Sequence, residues 1–341
     1  LDSGLYFDTS TVPDYGRLAR ANTDAGESRI DPVPGKRSPL DFAIWRTTPP
    51  GETRQMEWDS PWGRGAPGWH LECSVMSREL LGHPFDIHTG GIDHREIHHP
   101  CEIAQNQAHG AYDHSGARFW MHNNFLIDRR GKMSKSAGEF LRLQTLVDRG
   151  FHPLAYRLMC LQAHYRSELE FSWEGLQAAF VRLKRMVMAA ATLIEQRQSL
   201  GEQPNDYELV IDNPGEDVLD LLLRDFGLSM RDDLDTPNAL IFFENVLGYK
   251  KCDARKRNDV VKKMDSVLGL NLLTLTRTDL RIRPATATIT EAEIESALAE
   301  RKAARAAKDF ARSDAIRDDL ISRGVEVMDG DPLGWDWRIE I

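Results

Sequence analysis

The spacing of apolar residues changes along this chain, and the change limits the folds available to it. Between about residues 61 and 165, apolar residues fall in short runs broken by glycine. A helical stretch over Leu71 to Leu81 is followed by Phe85-Asp86-Ile87-His88 and then by Thr89-Gly90-Gly91. This order predicts a helix, a strand, a glycine turn and a further helix, the βα unit of a parallel sheet. From Ser172 to about Gly269 the period becomes three to four residues, with Trp173, Leu176, Ala179, Phe180, Leu183 and Met186 in one stripe. That spacing predicts a helix bundle. The expected architecture is α/β followed by α, and ligand sites in such sheets lie at the carboxyl ends of strands, where Gly90 and Gly91 fall.

The flanks complete the organisation. Residues 1–60 mix strand-like pieces such as Leu5-Tyr6-Phe7 with Pro- and Gly-rich turns, and read as a peripheral α+β segment. The acidic, Pro-containing stretch Gly201 to Pro214 reads as an inter-helix loop, and Arg277 to Thr290 as a linker. Beyond Glu291 the sequence predicts one long helix, a short strand at Val325-Glu326-Val327 and a terminal Trp335-Asp336-Trp337. The expected divisions are 1–60, 61–165, 166–275 and 276–341, and 341 residues suffice for two or three cores.

Composition excludes several classes. No run of about 18 apolar residues exists, so no membrane partner is expected. No leader is visible, although the chain begins at Leu1, where a targeting segment could have been lost. The four cysteines, Cys73, Cys101, Cys160 and Cys252, are scattered, which suits a reducing cytoplasm. A net charge of −10 gives no global attraction to nucleic acid. One local patch stands against this: seven Lys and Arg against two Asp between Asn245 and Lys263, either a solvated helix face or a nucleic-acid contact.

The residues that carry chemistry begin with Lys132-Met133-Ser134-Lys135-Ser136, behind Gly131 and the strand-like Phe125-Leu126-Ile127. Two ammonium groups on flexible stems are mobile point charges that can follow growing charge on phosphate oxygens. The string resembles the signature loop of class I aminoacyl-tRNA synthetases, which implies that Lys132, Lys135 and Ser134 bind Mg-ATP and that the lysines stabilise the adenylation transition state. A second constellation is Cys73, His98 and Glu102. At i and i+4, His98 and Glu102 share a helix face. Thiolate, imidazole and carboxylate form a plausible zinc set, although a lone pair at that spacing is more often a surface pair.

The context of these residues is specific. Trp58-Asp59-Ser60-Pro61-Trp62-Gly63, Pro67-Gly68-Trp69-His70-Leu71-Glu72-Cys73-Ser74, Phe85-Asp86-Ile87-His88, His98-His99 and Glu102-Ile103-Ala104-Gln105 follow one another in order. After the lysine string come His164-Tyr165-Arg166-Ser167, Asp232-Asp233-Leu234-Asp235-Thr236-Pro237 and an Ala-rich helix around Ala304 to Phe310. Together they resemble the cysteinyl-tRNA synthetase family over nearly the whole chain. The resemblance implies the second half of a Rossmann-type class I catalytic domain, a tRNA-binding helical bundle and a small C-terminal anticodon-binding module.

It further implies one zinc ion on Cys73, His98 and Glu102, with the substrate thiol as a direct ligand. Thiol and hydroxyl are then separated by a bond, where pocket size alone supplies only about 1–3 kcal/mol. Trp69 walls the pocket or is a plain core aromatic, and Asp93 meets the substrate ammonium. The implied reaction joins L-cysteine to tRNA(Cys) through cysteinyl-adenylate in a monomer, with Arg305, Lys308, Arg312 and Arg317 as phosphate contacts. Trp335 and Trp337 stack on bases or pack in a core.

The resemblance also has gaps. The family's fourth zinc ligand, a cysteine near its N-terminus, and the His-x-Gly-His motif behind it are not found here. A fragment of a longer product is the expectation, with sheet edges left apolar and exposed. Cys101, beside Glu102, is a competing ligand candidate, and Glu139 stands where the family commonly has Asn. Two other readings are a cysteine:aminosugar ligase of the mycothiol type and a non-catalytic RNA- or zinc-binding paralogue. The Asp232 to Pro237 segment and the C-terminal basic helix argue against the first.

Overall fold

The computed structural model describes residues 1–19, 33–110, 115–128, 131–132, 142–201 and 217–339. They form two compact units, Leu1–Phe125 and Leu126–Ile341.

The first unit opens with β1 (Gly4–Phe7), which pairs antiparallel with β2 (Phe42–Thr47), itself antiparallel to β3 (Gly65–Pro67). α1 (Trp69–Leu81) leads to β4 (Phe85–Gly91). Then α2 (Ile92–Glu96) and α3 (His98–His109) carry the chain to β5 (Ala117–Asn123), which pairs with β4 in parallel, Ile87 opposite Phe119 and Gly90 opposite His122. Parallel strands need a crossover, and the two helices supply it. The expected βα unit is therefore present, with Gly90 and Gly91 as the last residues of the strand rather than a turn after it.

The apolar core of this unit is small: Val12, Phe42, Cys101 and Ala104, with Phe7, Tyr15 and Ile44 against them. Leu80, Leu81, Met76 and Phe119 are largely exposed. Cys101 lies in this core, 2% exposed, with its sulfur 3.5 Å from the Tyr15 hydroxyl. Neighbours on a helix point about 100° apart. Cys101 is thus directed away from the side chain of Glu102 and does not join its cluster.

The second unit begins with β6 (Leu126–Asp128), antiparallel to β7 (Gly131–Lys132) and parallel to β8 (Leu169–Glu170). Between β7 and β8 lie α4 (Leu143–Asp148) and α5 (Pro153–Leu161). The bundle follows: α6 (Trp173–Ser199), α7 (Val218–Arg231), α8 (Thr236–Gly248) and α9 (Ala254–Leu268). Each starts on a side-chain cap, Ser172, Asp217, Asp235 and Asp253, whose oxygen accepts a first-turn N–H. The expected stripe on α6 is the buried one, and Leu183, Leu193, Leu240, Phe243, Val261 and Met264 are fully enclosed.

The basic stretch divides between structure and surface. Arg257 is buried and donates to Tyr249 O at 2.7 Å and Gln196 Oε1 at 2.5 Å, while Lys256 bridges Asp217 and Asp220. Lys250, Lys251, Lys262 and Lys263 remain exposed.

The C-terminal region corrects one expectation. In place of one long helix there are two, α10 (Glu291–Ala306) and α11 (Phe310–Ser322). The break falls at Lys308, at φ 62°, and Asp309 caps α11 by accepting from Arg312 N. β9 (Val325–Val327) pairs antiparallel with β10 (Trp335–Trp337) over a separate core of Ile289, Ile294, Leu320 and Val325. Trp335 and Trp337 both lie in that core, 1% and 3% exposed, and Trp335 Nε1 donates to Glu295 at 2.7 Å. Base stacking is therefore not their role in this conformation. Among the described residues no helix is long and apolar enough to cross a membrane.

Candidate metal and amino-acid site

The first unit gathers its chemistry on α1, α3 and the ends of β4 and β5. Trp69 opens α1, and Cys73 stands one turn later on the same face. Gly68, before α1, runs so close to β2 that a β-carbon there would lie 2.2 Å from Ala43 O. Glycine thus sets where the helix starts, and with it Trp69 and Cys73. α3 begins at His98, so His98 and Glu102 project from one face. The helix is enclosed on every face, and its buried residues include the polar His98, His99, Glu102, Gln105, Asn106 and Gln107.

The donor atoms of Cys73, His98 and Glu102 lie within 4.8 Å of one another. His98 Nε2 is 3.0 Å from Glu102 Oε1. With Glu102 1% exposed, this is no surface pair. Trp69 is 61% exposed, and its ring lies 4.4 Å from that of His98 and 5.4 Å from that of His94. It is therefore not a core aromatic and stands over the cluster. Asp93 lies in the first turn of α2, directly after Gly91, with Oδ1 3.3 Å from His94 Nδ1.

A second group converges on the same carboxylate, and sequence reasoning gave it no role. His88, on β4, places Nε2 3.1 Å from Glu102. His99 Nε2 is 4.0 Å from Glu102, and its Nδ1 is 2.8 Å from His122 Nε2. The donor atoms of His88, His99 and Glu102 also fall within 4.8 Å. Gly90 makes this packing possible, because a β-carbon there would sit 2.7 Å from the His99 ring. A signal was available: eight of the eleven histidines fall between His83 and His122.

The electrostatics are those of a site short of positive charge. Burial pushes the Glu102 carboxyl up, but hydrogen bonds from His88 and His98 outweigh it and hold it at about 2. Burial, then the charges of Glu102 and Glu72, pushes the Cys73 thiol up to about 11. Burial keeps His99 neutral, at about 3. A thiol held protonated beside a buried carboxylate is what a bound cation reverses, because it stabilises both as anions. Zinc therefore fits the chemistry of Cys73, His98 and Glu102.

Of the lysine string, only the backbone of Lys132 is described, in β7 opposite Ile127. Ser134, Lys135, Ser136 and Glu139 lie outside the described residues.

Residues 2–181 match the family model of the class I (C) tRNA synthetase catalytic domain, and residues 290–338 that of the cysteinyl-tRNA ligase anticodon binding domain. Cysteine–tRNA ligase of Novosphingobium aromaticivorans is 65% identical over 345 residues, covering 99% of this chain and 68% of that protein. The enzyme of Zymomonas mobilis is 52% identical, covering 100% of this chain and 70% of that protein. Cysteine–tRNA ligase 1 of Burkholderia lata is 44% identical over 96% of this chain and 64% of its own length. A class I catalytic domain in the first half and an anticodon-binding domain at the end, at such identities, leave one assignment: this chain belongs to the cysteine–tRNA ligase family of class I aminoacyl-tRNA synthetases.

Proposed function

We propose that the chain serves the ATP-dependent joining of L-cysteine to tRNA(Cys) through cysteinyl-adenylate, with Cys73, His98 and Glu102 holding a zinc ion. The observation that carries this reading is the convergence of a thiol, an imidazole and a deeply buried carboxylate within 4.8 Å, beneath an exposed tryptophan. A zinc ion held there supplies a soft site that prefers sulfur to oxygen.

The remaining roles belong to the chain's own side chains. Trp69 bounds the amino-acid pocket, and the Asp93 carboxylate accepts from the substrate ammonium. That orients the amino-acid carboxylate for attack on the α-phosphate of Mg-ATP. Lys132 and Lys135 neutralise charge growing on the pyrophosphate side, and Ser134 shapes the loop between them. Residues 166–275 and 276–341 serve tRNA. Arg305, Arg312 and Arg317 are engaged by Asp329, Glu300 and Asp314, so contact with phosphate requires partner exchange. Lys308, exposed at the helix break and without an ionic partner among the described residues, is the readier contact.

The test is ATP–pyrophosphate exchange with cysteine on the full-length protein, combined with zinc analysis of Cys73→Ser. Exchange that depends on cysteine, and lost zinc in the variant, are expected. Unchanged zinc content removes Cys73 from the ligand set. Charging of tRNA separates this reading from an aminosugar ligase, and absence of exchange leaves only a non-catalytic binder.

A further inference from the structure

Two sequence motifs have so far no role: His164-Tyr165-Arg166-Ser167 and Asp232-Asp233-Leu234-Asp235-Thr236-Pro237. They meet in the second unit. The latter motif forms the joint between α7 and α8, where Asp232 caps the end of one helix and Asp235 the start of the next. Between the caps, Asp233 and Leu234 both have positive φ, 52° and 57°. Two consecutive left-handed residues, each carrying a β-carbon, make a strained turn that glycine would make freely.

The Asp233 side chain supplies the reason for keeping it. The Tyr165 hydroxyl donates to Asp233 Oδ1 at 2.6 Å, and Arg166 Nε lies 2.7 Å from Oδ2. His164 Nε2 donates to the Asp233 carbonyl at 3.0 Å. The three partners also brace one another: His164 stacks on Tyr165 with ring centroids 4.9 Å apart, and Arg166 Nε donates to the Tyr165 hydroxyl at 3.1 Å.

These three residues lie in the connection from α5 to β8. Just beyond them, Leu169 and Glu170 pair with Leu126 and Ile127 of β6, and Ile127 pairs in turn with Lys132 of β7. Phe171 N donates to Ile127 O at 2.7 Å. β8 has only two residues, too few for ladder bonds to fix it alone. A strained backbone persists only where its surroundings over-determine it, and such positions cluster where geometry serves function.

The geometry points to Asp233 as a positioning residue. Its carboxylate fixes the α5–β8 connection against the α7–α8 joint, and through β8 and β6 it fixes the backbone of Lys132. The inference rests on the role proposed above for Lys132 on the phosphate side.

Asp233→Gly adopts the left-handed turn without strain and removes the carboxylate together with its methylene. In the full-length protein its kcat for pyrophosphate exchange should fall about 10- to 100-fold, the scale of a misplaced catalytic group. KM for cysteine and zinc content should hold, and the Phe171 amide should exchange with solvent faster. Asp233→Asn, which tolerates the left-handed turn and keeps one acceptor, should recover most of the rate. Parental kcat in Asp233→Gly overturns the inference, as does a loss shared by zinc content and KM. If the parent protein itself lacks exchange, the proposed function fails instead. Unchanged Phe171 protection then still overturns the positioning role on its own.

Discussion

The two units bury opposite kinds of residue. The second encloses leucine, phenylalanine, valine and methionine from α5 to α9 in one continuous apolar core. The first has four buried apolar residues in its main cluster and, along α3, a run of buried His, Glu, Gln and Asn. Buried polar groups cost free energy unless paired, and a buried carboxylate costs most. In the first unit the partners of that carboxylate are histidines, His88 from β4 and His98 from α3, while His99 pairs with His122 of β5. One unit's interior is spent on stability and the other's on holding donor atoms together.

The sharpest way to break that comparison is to disable the donor set. On the full-length protein, Cys73→Ser should abolish stoichiometric zinc and collapse the preference for cysteine over serine. With only shape left to discriminate, the ratio of kcat/KM values should drop to no more than about 200-fold. A variant that keeps a far higher ratio would mean that the buried cluster selects sulfur without a metal.

The next effect lies in the second unit. Phe243 is fully enclosed, so Phe243→Ala should cost about 3–5 kcal/mol of stability by denaturant unfolding. Phe119, 65% exposed in the first unit, is the counterpart, and Phe119→Ser should change stability by no more than about 0.5 kcal/mol. Equal losses would erase the contrast. Between these lies Cys101→Ser. It buries a hydroxyl in the small core beside Tyr15 and should cost about 1–3 kcal/mol while zinc content stays at the parental value. Lost zinc there would return Cys101 to the ligand set.

What the sequence revealed follows the same division. The bundle was legible because each contact face repeats every three to four residues, so Leu176, Ala179, Phe180 and Leu183 announce their own burial. On α3, one helical turn puts His98 and Glu102 on one face, but that spacing alone reads as a surface pair, and the resemblance carried by the flanking motifs is what singled them out. His88 and His122 were not legible, because they meet α3 only through the parallel pairing of β4 and β5, which local spacing does not encode. The break at Lys308 was hidden by its setting, a run of Ala, Lys and Arg with no Gly or Pro. Its one local mark is Asp309, a cap residue that reads equally well as part of a charged helix face.

The smallest effect concerns a histidine in the apolar unit, the reverse of the cluster in the first. His152 caps α5, and its Nδ1 accepts from Leu154 N at 3.2 Å, which requires a neutral ring. Burial holds its pKa below the ordinary value, against the pull of Asp279. The unfolded chain therefore binds this proton first as pH falls through about 6.5, and folding stability declines with it. His152→Ala removes both cap and titration. At pH 8 it should cost about 0.5–1 kcal/mol. That difference from the parent should shrink as pH drops below about 6, because protonation draws down the parent's advantage and leaves alanine untouched. A difference that stays constant from pH 8 to pH 5 would mean that the ring is held by packing alone, and that the second unit owes nothing to a half-buried neutral imidazole.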